Sequence, residues 1–188
     1  MYLPVLWACT DYRIITRQAE PEFMVSFGKM DNQAILKLAA AILFCVILGG
    51  LGSIVTVTGP GSWYAMLDKP SFSPPGWIFA PVWTTLFILM GIALYLVWNA
   101  GTERQEVRTA LIVFGIQFFL NIIWSFLFFY LRSPFLGLVD ILLLWVMIVA
   151  TIVLFHRVQK TAAYLLVPYL LWVSFASIVN YSVYALNA

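Results

Sequence analysis

Residues 109–131 read TALIVFGIQFFLNIIWSFLFFYL, an unbroken run without Asp, Glu, Lys or Arg. Crossing about 30 Å of hydrocarbon takes roughly 20 helical residues at about 1.5 Å of rise each, so this run can cross once. Residues 38–67, 70–102 and 161–188 also lack charged side chains, and 133–156 holds a single one, Asp140. At fewer than 34 residues each, none of these windows can cross twice with a turn between. Their apolar residues are continuous rather than alternating, which argues against a membrane barrel. An open strand would leave its backbone groups unpaired in lipid, so helices are the spanning element. Proline crowds the start of the window 70–102, which delays its helix to about Pro81. The sequence therefore predicts an all-α membrane protein, a bundle of five transmembrane helices over about 35–57, 80–98, 108–130, 134–155 and 162–186, with a long first loop.

Composition agrees. Hydrophobic residues make up 63% of the chain and charged residues 10%, against roughly 25% charged in ordinary soluble domains. A net charge of +2 is too small to imply a nucleic-acid partner; the partner implied by composition is membrane lipid. Cys9 and Cys45 lie far apart, so neither a disulfide framework nor a metal-binding spacing is present and no metal site is expected. An odd number of spans puts the termini on opposite sides. Arg13, Arg17, Lys29, Lys37, Arg104, Arg108, Arg157 and Lys160 fall on the N-terminal side and Lys69 and Arg132 on the other, eight against two. The positive-inside rule then places the N-terminus inside and the C-terminus outside. Residues 1–33 are more polar and read as a flexible or interfacial extension of the 34–188 membrane domain. Met24 and Met30 offer an alternative in which the natural start is internal.

The first connection, about 58–80, is the longest, and its Pro, Gly and aromatic residues mark a stiff loop with surfaces to pack. Loops of this length tend to be binding loops or lids. On the third span Gln117, Asn121, Trp124, Ser125 and Phe128 share about a 100° arc, so this face points into the bundle, either for interhelical hydrogen bonds or as the polar wall of a pocket. The fifth span carries Pro168, Trp172, Ala176 and Asn180 at intervals of four, where Pro168 should bend the helix and Trp172 could serve packing or an aromatic slot. Asp140 is a functional suspect as an intramembrane carboxylate, but the nearby Arg132 favours an ion pair across the short turn, or a helix cap. His156 beside Arg157 reads as solvated. Ala41, Cys45, Gly49 and Ser53 form a small-residue ladder, for packing within the bundle or alternatively as a homodimer seam. Trp77 and Trp98 suit an interfacial belt, Trp83 less so. There is no Ser–His–acid set, phosphate loop or paired carboxylates, and the last span has no lysine for a retinal Schiff base.

Three motifs in order carry a resemblance. They are Trp63-Tyr64-x-x-Leu67-x-Lys69-Pro70-Ser71-Phe72-x-Pro74-Pro75 with Trp77, Pro81 and Trp83; then Gln117-x-x-x-Asn121-x-x-Trp124-Ser125 and Asp140; then Leu165-Leu166-x-Pro168-Tyr169-x-x-Trp172-x-x-Phe175-Ala176-x-x-x-Asn180. Over about 35–188 the chain resembles the TspO/MBR family, the tryptophan-rich sensory and translocator proteins.

The resemblance implies a five-helix bundle, usually a homodimer, around a pocket opening toward the first loop. It implies a porphyrin-type ligand, protoporphyrin or a related tetrapyrrole, rather than a bound cofactor. Carried over residue by residue, the ligand-binding positions are Trp63, Tyr64, Trp83, Asn121, Ile141, Trp172 and Ala176. Some bacterial members degrade protoporphyrin under light, in which case Trp83 and Trp172 are the catalytic candidates. Lys69 or Arg132 could meet a porphyrin carboxylate. Two features depart from the family. Nothing basic follows Lys160, so the sterol-recognition pattern of animal members is missing. Gly115 has no small residue four positions away, which weakens a dimer seam on the third span. The function implied is tetrapyrrole sensing, transport or turnover, with photo-oxidative degradation and a ligand-free regulatory subunit as rivals. All of it requires the second, third and fifth spans to enclose an aromatic cavity beneath the loop.

Overall fold

The computed structural model describes residues 31–188. All but the last three residues of the expected 1–33 extension, with both alternative start sites, therefore lie outside the described residues. The described chain forms α1 (Asn32–Gly50), the short α2 (Trp63–Met66), α3 (Phe79–Trp98), α4 (Gln105–Ser125), α5 (Pro134–Val158), α6 (Lys160–Leu165) and α7 (Val167–Leu186). Five helical segments among the described residues are long and apolar enough to cross a membrane: Asn32–Ile54, Gly76–Trp98, Gln105–Tyr130, Pro134–Val158 and Lys160–Leu186.

Local chemistry sets the ends. The Asp31 carboxylate accepts the Ala34 amide at 2.7 Å and caps α1, so the first helix starts three residues before its expected position. Ser133 caps α5 by accepting the Leu136 amide at 3.2 Å, and Pro134 occupies the first turn, where its missing N–H costs nothing. Pro168 does more than bend the fifth span. The helix breaks at Leu166 and restarts as α7 with the proline in its first turn. One feature the sequence did not signal is at the end of α4. There Phe126–Tyr130 widens into a π turn, with the Leu131 amide reaching back to the Phe126 carbonyl at 2.9 Å.

The helices form a ring. α1 lies against α3, α3 meets the fifth span along α6, α5 lies between α6–α7 and α4, and α4 closes back on α1. The α1–α3 crossing is tight because Gly91 has no side chain: a Cβ there would come within 2.5 Å of the Ile42 Cα. Ala41, Cys45 and Gly49 are buried in this same seam, with Gly49 against the Phe87 ring. The small-residue ladder therefore serves packing inside the bundle. Its inward-facing members leave no surface for the alternative dimer seam, and only Ser53 is exposed.

The end of the bundle away from the first loop is solid. Val97, Val107, Ala110, Phe155 and Ala162 have no exposed surface, and Phe114 stacks on Phe118 and Phe155 with centroids 5.9 and 5.7 Å away. At the loop end α3 and α7 diverge.

The Gly91 contact yields a paired prediction. Gly91→Ala should lower unfolding stability by about 1–3 kcal/mol through overpacking against backbone. Gly115→Ala, where an added Cβ meets nothing within 4 Å, should leave the thermal midpoint of the detergent-solubilised protein unchanged.

A loop-covered aromatic cavity as candidate functional site

Where α3 and α7 separate, a cavity of about 500 Å³ opens beneath the first loop. Its walls come from the end of α1, the start of α3, the end of α4 and α7 from Trp172 to Val183. The loop supplies the cover. Ser62 caps α2 by accepting the Ala65 amide at 3.2 Å, and this one-turn helix aims Tyr64 at the cavity. Lys69 donates to the Leu67 carbonyl at 2.9 Å and stands 4.9 Å from the centre of the Tyr64 ring, so its charge steadies the end of α2. Burial raises the Tyr64 phenol above its ordinary pKa of 10.0, so it offers the cavity a neutral hydroxyl.

The residues singled out from sequence fall as follows. Tyr64, Trp83, Asn121, Trp172 and Ala176 line this cavity. Ile141 instead lines a smaller void of about 30 Å³ just behind it, shared with Trp83, Asn121 and Trp172. Trp63 is not on the cavity wall. Neighbouring helical side chains point about 100° apart, so with Tyr64 facing in, Trp63 turns to the edge of Phe128 at 5.8 Å.

The polar stripe on α4 serves both roles considered for it. Asn121 donates to the Tyr169 hydroxyl at 3.1 Å, and that hydroxyl donates to the Gln117 carbonyl oxygen at 3.1 Å, joining α4 to α7. Asn121, Trp124, Ser125 and Phe128 also face the cavity. Asn180 is the second junction. It accepts the Trp124 indole N–H at 3.1 Å and donates to the Pro134 carbonyl at 2.9 Å, tying α7 to α4 and α5 at the loop end.

The Asp140–Arg132 ion pair is not formed. Among the described residues the one ion pair is Arg104–Glu106 at 3.2 Å. Arg132 adopts a left-handed φ of 52° after the π turn and stands exposed, while Asp140 lies about two turns along α5, buried at 6% exposure. Nor does Asp140 cap the helix, since Ser133 does. One Asp140 carboxylate oxygen and the Trp172 indole nitrogen are buried without a hydrogen-bond partner among the described residues.

Several wall residues escaped the sequence. Gly52 admits Ser125, whose Oγ would lie 2.7 Å from an added Cβ. Phe129 comes round to the cavity beside Phe128 through the π turn. Phe79 meets Trp172 edge-on at 5.9 Å. The Gly49-Gly50-Leu51-Gly52 run was the one available signal for a thinned helix end.

Residues 41–186 match the model of the TspO/MBR family. The chain belongs to the TspO/MBR family. It is 51% identical over 157 residues to the tryptophan-rich protein TspO of Chlorobaculum tepidum, covering 83% of this chain and 99% of that protein. It is 45% identical over 154 residues to the protein of the same name from Archaeoglobus fulgidus, covering 82% and 99%. It is 41% identical over 142 residues to the translocator protein of Bos taurus, covering 74% and 84%. The TspO/MBR match takes in every helix that walls the cavity, from the middle of α1 to the last turn of α7.

Tyr169→Phe tests the α4–α7 junction. It removes one hydroxyl and strands both the Gln117 oxygen and the Asn121 amide. The expected loss is about 0.6–1.7 kcal/mol, the range for interhelical hydrogen bonds in membranes, read as a lower thermal midpoint.

Proposed function

We propose that this integral membrane protein binds a tetrapyrrole of the protoporphyrin type in its loop-covered cavity and serves in the sensing, transport or turnover of that ligand. The observation that carries the reading is the cavity itself. Its volume of about 500 Å³ falls in the roughly 300–1,000 Å³ range of small-molecule pockets. Its walls combine broad indole faces, Trp83 and Trp172, with a few hydrogen-bonding groups such as Asn121 and Tyr64. A porphyrin is a flat apolar ring with carboxylate arms, which suits stacking against tryptophan plus a small number of polar contacts. The indole ring of Trp172 lines the cavity, while its N–H is buried without an acceptor among the described residues. Lys69 and Arg132 stand at the loop face, where carboxylate arms would emerge.

On this reading the loop face is the outer one and the N-terminal face the inner one. Among the described residues Lys37, Arg104, Arg108, Arg157 and Lys160 lie on the N-terminal side, and the positive-inside rule assigns that side to the cytoplasm.

The test is a titration of purified protein with protoporphyrin, in the dark and then in light. Binding should quench tryptophan fluorescence and raise the thermal midpoint, by about 2.7 kcal/mol of stabilisation at 100 times the dissociation constant. Trp83→Ala and Trp172→Ala should each weaken binding by roughly tenfold or more, taking about 1–3 kcal/mol for a lost stacking face. Unchanged fluorescence and midpoint would leave a ligand-free membrane subunit as the better description. In light, porphyrin loss faster than for free porphyrin in detergent, slowed by Trp83→Phe or Trp172→Phe, would make turnover the role.

A further inference from the structure

The residue that follows the fifth span, Asn187, is joined to the first loop. The Asn187 side-chain oxygen accepts the Asp68 amide at 3.0 Å, and its nitrogen donates to the Asp68 carbonyl at 2.9 Å. One carboxamide thus pairs with both backbone groups of a residue 119 positions away. The same nitrogen also donates to the Val183 carbonyl at 2.7 Å, which fixes the side chain on the last turn of α7. Val183 and Tyr64, on either side of this junction, both line the cavity.

Among the described residues these are the only hydrogen bonds between residues 59–74 and the spanning helices. Ring contacts of Trp63 and Tyr64 with Phe128, and of Tyr64 with Phe129, also attach the loop. Lys69 and Ser62 bond within the loop itself. Asp68 and Asn187 are exposed, so each of their bonds exchanges readily with water and is worth little net. A fastening of that strength opens often. The prolines at 70, 74 and 75 stiffen the following stretch, which favours movement of residues 62–69 as a unit.

We propose that Asn187 is a latch, a positioning residue that holds the first loop over the cavity and sets how often it opens to admit and release a ligand. The inference rests on the cavity being a ligand site. A latch has a kinetic signature that a wall residue lacks. It holds the loop shut in the empty and the loaded protein alike, so weakening it speeds entry and exit by the same factor and leaves the equilibrium nearly alone. Damage to the wall raises the exit rate without raising the entry rate.

The experiment is stopped-flow binding of protoporphyrin to the full chain in detergent, in the dark. Asn187→Ala should raise both rate constants by about three- to tenfold, with the dissociation constant within about twofold of wild type. Asp68→Ala should change neither, because Asp68 takes part only through its backbone. A double variant, Asp68→Cys with Asn187→Cys, should slow both rates when oxidised and regain fast exchange on reduction. An exit rate that rises alone, or rates that do not move in Asn187→Ala, would overturn the latch.

Should wild type bind no porphyrin, the ligand reading falls and the latch is judged by access alone. In an Ala176→Cys background, with the parent chain as control for its own cysteines, Asn187→Ala should then speed maleimide labelling of the cavity. Equal labelling rates would overturn it.

Discussion

In hydrocarbon an apolar side chain gains little by leaving lipid for another helix, so a membrane bundle depends on close packing and a few interhelical hydrogen bonds. Here that constraint is met by three polar junctions on α7. Tyr169 binds Gln117 and Asn121 of α4, Ser174 accepts the Trp145 indole N–H of α5 at 2.8 Å, and Asn180 binds α4 and α5 together. All three junctions tie α7 to α4 and α5, whereas α3 reaches α7 through the ring contacts Phe79–Trp172 and Trp83–Tyr169. The cavity lies where α7 is tied by hydrogen bonds to α4 and α5 and meets α3 through aromatic edges.

The two ends of the bundle show the consequence. Away from the loop, α3 meets α6 and the interior fills with Phe114, Phe118, Phe155 and small alanines. Toward the loop, the break at Leu166 redirects α7, the π turn widens the end of α4, and the glycines of α1 remove bulk. None of these features alone makes a pocket. Together they leave a space that the protein's own side chains do not fill, roofed by a short helix and a proline-stiffened strap.

Much of this was legible in the chain. Four charge-free windows and a fifth holding only Asp140 gave five spans, because charge is too costly in lipid for the pattern to mean anything else. The stripe from Gln117 to Phe128 identified an inward face through its helical period, and the structure puts it on the cavity wall from Asn121 onward, with Gln117 bonded to Tyr169. What escaped depended on departures from regular geometry. The Arg132–Asp140 pairing followed from closeness in sequence, and it failed because a left-handed Arg132 turns outward while Asp140 faces the bundle. The π turn has no sequence signature, so Phe129 could not be placed. Trp63 and Tyr64 are adjacent in the motif, yet only one can face the cavity from a helix of four residues. Asn187, one residue from the end of the chain, lay outside every motif.

The most direct measurement is a crystal structure of the protein with zinc protoporphyrin, in which the anomalous signal of the zinc marks the centre of the ring. A ring held between indole faces beneath the loop puts that peak inside the space bounded by Trp83, Asn121 and Trp172. Peaks confined to the lipid-facing surface, with the interior space empty of ligand, would contradict it.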